Sequence, residues 1–145
     1  MTRSWTLPTL FLLAGLLVAT PVLLRGSLVE GCVLLVVFLV LAVAHSPLVF
    51  PRPLRAEEAR RRGAEDGWPI VYWRPGCKYC IRLRFGLGRD ARRVHWVDIW
   101  RDPEAAADVR AVNDGNETVP TVFVDGRPHV NPGPAWVRER LARRA

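Results

Sequence analysis

Formal charge is missing where a single soluble domain would carry it. Among the first fifty of 145 residues only Arg3, Arg25 and Glu30 are charged, while residues 51–145 hold 19 basic and 13 acidic side chains. One soluble domain does not divide its charge at such a boundary, and a chain that is 50% hydrophobic is not disordered. Lysine is nearly absent too, Lys78 being the only one among 21 basic residues. The net charge of +7 is therefore an arginine bias. It lacks aromatic residues interleaved with the basic ones, so nucleic acid is not an expected partner. Cysteine is scarce: Cys32, Cys77 and Cys80 are the whole set.

The uncharged stretches set the class. Residues 4–24 and 31–51 are each free of formal charge. At about 1.5 Å per helical residue, 21 residues reach about 31 Å, close to the hydrocarbon thickness of a bilayer. The first is built on Leu-Phe-Leu-Leu-Ala-Gly-Leu-Leu-Val-Ala, and the second on Cys-Val-Leu-Leu-Val-Val-Phe-Leu-Val-Leu-Ala-Val-Ala. Together they predict a transmembrane hairpin over residues 1–50, with spans at about 5–24 and 31–50 and a short turn between them. A cleaved signal peptide fits less well, because no small-x-small site follows the first run and a second apolar segment comes at once. Arg52, Arg55, Arg60, Arg61 and Arg62 follow the second span, whereas the turn offers only Arg25. The positive-inside rule then predicts a multi-pass protein of the cell membrane, in contact with the lipid bilayer, with both termini and the following domain cytoplasmic. In that reducing compartment a cysteine pair is catalytic or metal-binding before it is structural.

Residues 51–66 read as a basic juxtamembrane linker or short helix, and residues 67–145 as one small α/β domain. Ile70-Val71-Tyr72-Trp73 suits a buried strand, and Pro75-Gly76 breaks it ahead of a helix over 77–85. A second strand is predicted over 95–99. A helix follows, with Asp102 as N-cap and Pro103 in its first turn, and Asn113-Asp114-Gly115 stops it. A third strand over 121–124 turns through Asp125-Gly126 into an edge strand near 128–130, and a last helix runs over 134–144 with Trp136, Val137 and Leu141 on one face. The order is strand, helix, strand, helix, strand, strand, helix, the first two strands parallel and the last two antiparallel. That is the order of a minimal thioredoxin fold.

Cys77-Lys78-Tyr79-Cys80 lies between the first strand and its helix. At a helix N-terminus free backbone N–H groups and the macrodipole favour an anion, so Cys77 is the expected thiolate nucleophile. Arg74 and Lys78 beside it, and Arg82 a turn on, add positive charge and predict a pKa below that of a free thiol. Cys80, one turn later, should be more buried and able to close a disulfide on Cys77. Half of a zinc site is the competing reading. It lacks ligands, because Cys32 lies in an apolar span and His95 and His129 have no paired spacing, so no metal is expected.

Thr118-Val119-Pro120 stands about forty residues after the cysteine pair, just before the third strand. The combination resembles the glutaredoxins, and more particularly the mycoredoxins, actinobacterial relatives that work with mycothiol. Three stretches carry this: residues 77–84, residues 113–122, and Asn131-Pro132. Glutathione-type members usually hold Gly-Gly and an acidic residue where this chain has Asn131-Pro132-Gly133, which favours a different small thiol. The resemblance covers about residues 69–145 and leaves the hairpin outside. It implies that Pro120 is cis beside the thiols, that the Val119 backbone meets the bound thiol, and that Arg74, Lys78, Tyr79 and Thr118 line the same site. It also implies thiol–disulfide exchange on S-thiolated proteins, with no tightly bound cofactor. Mycothiol or glutathione would be the cosubstrate, and NADPH would act indirectly through a reductase. Two positions depart from the family: Lys78 stands where Gly or Pro is common, and Gly76 where an aromatic residue often precedes the first cysteine. Trp73 reads as core rather than as a replacement aromatic wall. Trp68, Trp96, Trp100 and Trp136 read as packing or surface residues. A dithiol reductase for a membrane partner or ribonucleotide reductase, and a non-catalytic sensor pairing helices through Gly15 and Ala19, are the other readings.

Overall fold

The computed structural model describes residues 5–143; Arg3, Ser4, Arg144 and Ala145, which entered the sequence reading, lie outside them. The chain divides into two compact units, the second starting at Phe50.

The first unit is a helical hairpin. Helix α1 (Thr6–Leu24) and helix α2 (Leu28–His45) have mean hydropathies of 2.2 and 2.6 and are long and apolar enough to cross a membrane. Only 17% and 11% of their most apolar windows are buried within the chain. Gly26, at φ +87°, turns the chain between them and donates its N–H to the Leu23 carbonyl at 2.9 Å. The two helices approach closely at glycines. A Cβ on Gly15 would stand 2.6 Å from the Phe38 Cβ, and one on Gly31 would overlap the Leu23 side chain. Gly15 thus serves the contact of α1 with α2 inside the chain. The second helix ends at His45, five residues before the end of the span expected from sequence. Ser46 precedes a proline and is extended, which closes the helix, and its hydroxyl turns back to the Val43 carbonyl at 2.8 Å.

The second unit is an α/β sheet domain. Strands β1 (Ile70–Trp73), β2 (His95–Asp98), β3 (Thr121–Val124) and β4 (Arg127–Val130) form one sheet in the order β2-β1-β3-β4. β1 and β2 are parallel, with Ile70 opposite His95 and Trp73 opposite Asp98. β3 is antiparallel to both β1 and β4. Helix α4 (Lys78–Leu87) connects the parallel pair, α5 (Pro103–Ala111) follows β2, and α6 (Pro134–Ala142) ends the fold. Asp102 caps α5 as expected, accepting the Glu104 N–H at 3.0 Å. Asp125 and Gly126, at φ +50° and +74°, make the turn from β3 to β4. α6 docks onto α4 where Gly86 admits Pro134, and a Cβ at Gly86 would overlap the proline ring. Val137 and Leu141 of α6 are buried, whereas Trp136 is half-buried between His129 and Arg140.

The stretch read from sequence as a basic linker is part of this unit. Helix α3 (Ala56–Asp66) buries Ala56 and Ala59 completely. Its Gly63 lies against Ile70, and Arg60 pairs with Glu104 and Asp108 of α5. Ahead of it, Leu54 bridges to Val97 at the β2 edge, its N–H reaching the Trp96 carbonyl at 2.8 Å. Phe50 stacks on Trp73 at 3.7 Å between ring centres and meets Trp96 edge-on at 5.4 Å. Trp73 is fully buried in this cluster, as the core reading expects.

Candidate functional site

Arg74-Pro75-Gly76 leads out of β1, and Gly76 at φ +76° reverses the chain so that Cys77 arrives as the N-cap of α4. The Cys77 Sγ accepts the Cys80 backbone N–H at 3.4 Å, using one of the helix's unpaired donors. Cys77 is half-buried, Cys80 is fully buried, and both thiols are free.

Their environments push the two sulfurs apart. The Cys77 thiol is held down to about 6, first by hydrogen bonding from the Cys80 side chain, against an opposing penalty from partial burial. Backbone N–H groups of Cys80 and Tyr79 and the charge of Arg74 lower it further. Burial, together with the adjacent Cys77 thiolate, pushes Cys80 strongly up. One sulfur is a ready nucleophile at neutral pH and the other a reserved thiol. Of the basic neighbours expected to matter, Arg74 contributes, whereas the Lys78 ammonium lies 5.0 Å from the centre of the Tyr79 ring.

From the loop before β3 the Val119 backbone reaches Cys77. The Val119–Pro120 bond is cis, both residues are buried, and the Val119 carbonyl lies 3.4 Å from Cys77 Sγ. Thr118 is exposed, and its carbonyl accepts the Thr121 hydroxyl at 2.7 Å. Asn113 braces the loop from α5, its side-chain amide reaching Thr121 Oγ1 at 3.2 Å and the Val109 carbonyl at 2.8 Å. Asn131 N–H donates to the Pro120 carbonyl at 2.7 Å, fastening the end of β4 to the same loop. A cavity of about 200 Å³ is lined by Tyr79, which lies between the two cysteines in the chain, with Arg82, Leu83 and residues 131–134. A larger one, about 700 Å³, lies between α3, α5 and the sheet, over Tyr72 and Phe123. None of residues 74–80 lines it, so size alone does not locate the chemistry, which belongs with the sulfurs.

Trp100 reads from sequence as a packing or surface residue. It is half-buried, and the Arg74 guanidinium carbon lies 5.8 Å from the centre of its ring. Nothing local marks that pairing, since it depends on how two strands are aligned. Among the described residues no cluster of three His, Cys, Asp or Glu side chains could hold a metal ion.

The thiolate fraction makes a direct prediction. In a Cys32→Ser background, alkylation of Cys77 by iodoacetamide should rise about tenfold per pH unit below its transition, bend near pH 6 and level off above it. The folded-state value is depressed, so thiolate formation stabilises the reduced fold fully above the free-thiol pKa of about 8.5. That contribution is lost as pH falls through about 6. A bend near 8.5 would show that Cys80, the helix end and Arg74 do not hold the anion.

The glutaredoxin family model matches residues 70–130. A glutaredoxin of Mycobacterium tuberculosis is 40% identical over 74 residues, 50% of this chain and 88% of that protein. Mycoredoxin 1 of Corynebacterium glutamicum is 41% identical over 72 residues, 49% of this chain and 89% of that protein. No solved structure matches the chain.

Proposed function

The chain belongs to the glutaredoxin family and is a thiol–disulfide oxidoreductase, and from that premise we propose a membrane-anchored enzyme that reduces mixed disulfides between proteins and mycothiol. The observation that carries the chemistry is the pair of sulfurs, Cys77 on the helix end with its pKa lowered and Cys80 buried one turn behind. The Cys77 thiolate attacks the small-thiol sulfur of a protein mixed disulfide. A disulfide forms between Cys77 and the small thiol, and the protein leaves as a thiolate that takes a proton. A second small thiol, as its thiolate, then attacks that adduct, releasing the symmetric small disulfide and regenerating Cys77. Cys80 can resolve the same adduct instead, expelling the small thiol and closing a disulfide on Cys77. Electrons return from NADPH through a reductase of the small disulfide.

The Val119 carbonyl stands 3.4 Å from Cys77 Sγ, and Val119, Pro120, Arg74, Lys78, Tyr79 and Thr118 make up the proposed thiol-binding set. The choice of mycothiol rests on Asn131-Pro132-Gly133 beside the small cavity, in place of the Gly-Gly-acid arrangement that suits glutathione. The anchor rests on the two apolar helices, and a cytoplasmic domain on the five arginines after the second.

Purified full chain in detergent, coupled to NADPH oxidation through the matching reductase, should turn over a mycothiol mixed disulfide at least about tenfold faster than the glutathione one, a difference of about 1.4 kcal/mol. Equal rates would remove the mycothiol assignment. Reporter fusions at the C-terminus, active on one side of the membrane only, should report the cytoplasm. A signal from the opposite side would reverse the hairpin.

A further inference from the structure

β1 and β2 run parallel and end together, with Trp73 opposite Asp98 and the Ile99 N–H on the Trp73 carbonyl at 3.0 Å. The residues just beyond, Arg74 and Trp100, therefore leave the sheet at the same edge. The turn that carries Trp100 is anchored at both ends. The buried Asp98 carboxylate accepts the Trp100 N–H at 3.0 Å through Oδ1, and its Oδ2 faces Arg101 Nε at 3.5 Å. The Asp98 carbonyl also accepts the N–H groups of Arg101 and Asp102 at 3.1 and 3.2 Å. Asp102 in turn caps α5 and takes the Ala56 N–H of α3 at 2.7 Å. The backbone of such a turn has a fixed place, and the Arg74 guanidinium lies over the indole it carries at 5.8 Å.

We propose that Trp100 is a positioning residue for the thiol exchange, its indole face holding the Arg74 guanidinium beside Cys77. The proposal deepens the reading of Cys77 as nucleophile and rests on it. An arginine side chain free to swing into solvent has its field screened within about 8 Å at physiological salt, and a cation stacked on an aromatic face does not swing freely. The other nearby cations are differently placed: Lys78 lies over Tyr79, Arg84 reaches the Gly88 carbonyl at 3.3 Å, and Arg82 lines the small cavity. Arg74 precedes Cys77 by three residues and its charge lowers the pKa of both sulfurs, and Cys80 is a titratable neighbour of Cys77. Trp100 itself acts only through Arg74.

The test uses the full chain in detergent micelles with Cys32→Ser, reading the midpoint of the pH dependence of Cys77 alkylation. Trp100→Leu should raise that midpoint by about half a unit, and Arg74→Gln by at least as much. Trp100→Phe, which keeps an aromatic face, should recover most of the shift. The double variant Arg74→Gln/Trp100→Leu should sit no higher than Arg74→Gln alone. An unmoved midpoint in Trp100→Leu, or a double shift equal to the sum of the singles, overturns the proposal. A reading independent of how the variants fold comes from NMR of the unsubstituted Trp100 protein. The Arg74 side-chain protons should show the upfield ring-current shift of a cation over an indole, and its absence also overturns the proposal. Turnover of the mycothiol mixed disulfide is followed in parallel. Absent turnover with the midpoint pattern intact removes the substrate assignment and leaves the positioning role standing.

Discussion

Cys77→Ser in the full chain should lower mixed-disulfide turnover by on the order of a thousandfold or more, whereas Cys80→Ser should retain most of it. Serine is as good an N-cap as the cysteine it replaces, so helix α4 keeps its start and the loss is chemical. A hydroxyl is not ionised at neutral pH and does not exchange with a disulfide, while the Cys77 thiol, at about 6, is mostly anionic there. Cys80 cannot stand in. It is buried, and both burial and the neighbouring thiolate keep it protonated. Once Cys77 carries a small thiol in disulfide linkage, its negative charge is gone, and one of the two influences that hold Cys80 protonated goes with it. Cys80 can then attack, but a second small thiol attacking from solvent reaches the same end. The Cys80→Ser variant should therefore fail only with substrates that must be released through the intramolecular disulfide. Mass spectrometry of that variant after reaction with the mixed disulfide, with no free small thiol added, should find the small thiol on Cys77. If Cys80→Ser loses mixed-disulfide turnover as completely as Cys77→Ser does, the enzyme is an obligate dithiol reductase and the monothiol cycle is wrong.

What could be read in advance was whatever short-range chemistry dictates. The strand at 70–73 is a continuous apolar run closed by Pro75-Gly76, and the turn at Asp125-Gly126 needs two residues that accept positive φ. The cysteine pair sits where such a strand meets a helix, so its site was legible with it. Trp100 was not, because its partner Arg74 lies 26 residues away and meets it only through the parallel register of β1 with β2. Helix α3 reads from sequence as a basic linker or short helix, and nothing in its mostly Arg and Glu sequence signals that it packs into the domain. Its buried face consists of two alanines, too small to produce an apolar signal, and the rest of its attachment is long-range pairing with Glu104 and Asp108. Phe50 was misplaced for the opposite reason. It continues an apolar stretch and reads as the end of a span, yet its ring belongs to the aromatic cluster on Trp73 and Trp96.

That misreading makes the second large effect. A fragment cut at residue 67, just ahead of the stretch matched by the family model, should be far less stable than one cut at residue 50. The shorter cut removes Phe50 from its stack on Trp73, Leu54 from the β2 edge, and the whole of α3. It uncovers Ile70 where Gly63 lay, and leaves the buried His95 without Asp66, whose carboxylate is 2.9 Å from its ring nitrogen. It also takes one of the two helix N-termini from Asp102. Phe50 alone, buried and stacked, should cost about 3 kcal/mol when cut back to alanine. For a domain of this size that lowers Tm by about 12–24 °C. Losing α3 as well consumes most of the roughly 5–15 kcal/mol that holds a small domain together. Circular dichroism melts of fragments 50–145 and 67–145, and of Phe50→Ala in the longer one, check this. The longer fragment should melt cooperatively, the alanine variant well below it, and the shorter one without a clear transition. The thiol site reports the same difference, since Phe50 packs on the last residue of the strand that leads through Arg74 to Cys77. Equal melting of the two fragments would mean that residues 50–66 are only a tether lying on a domain complete without them.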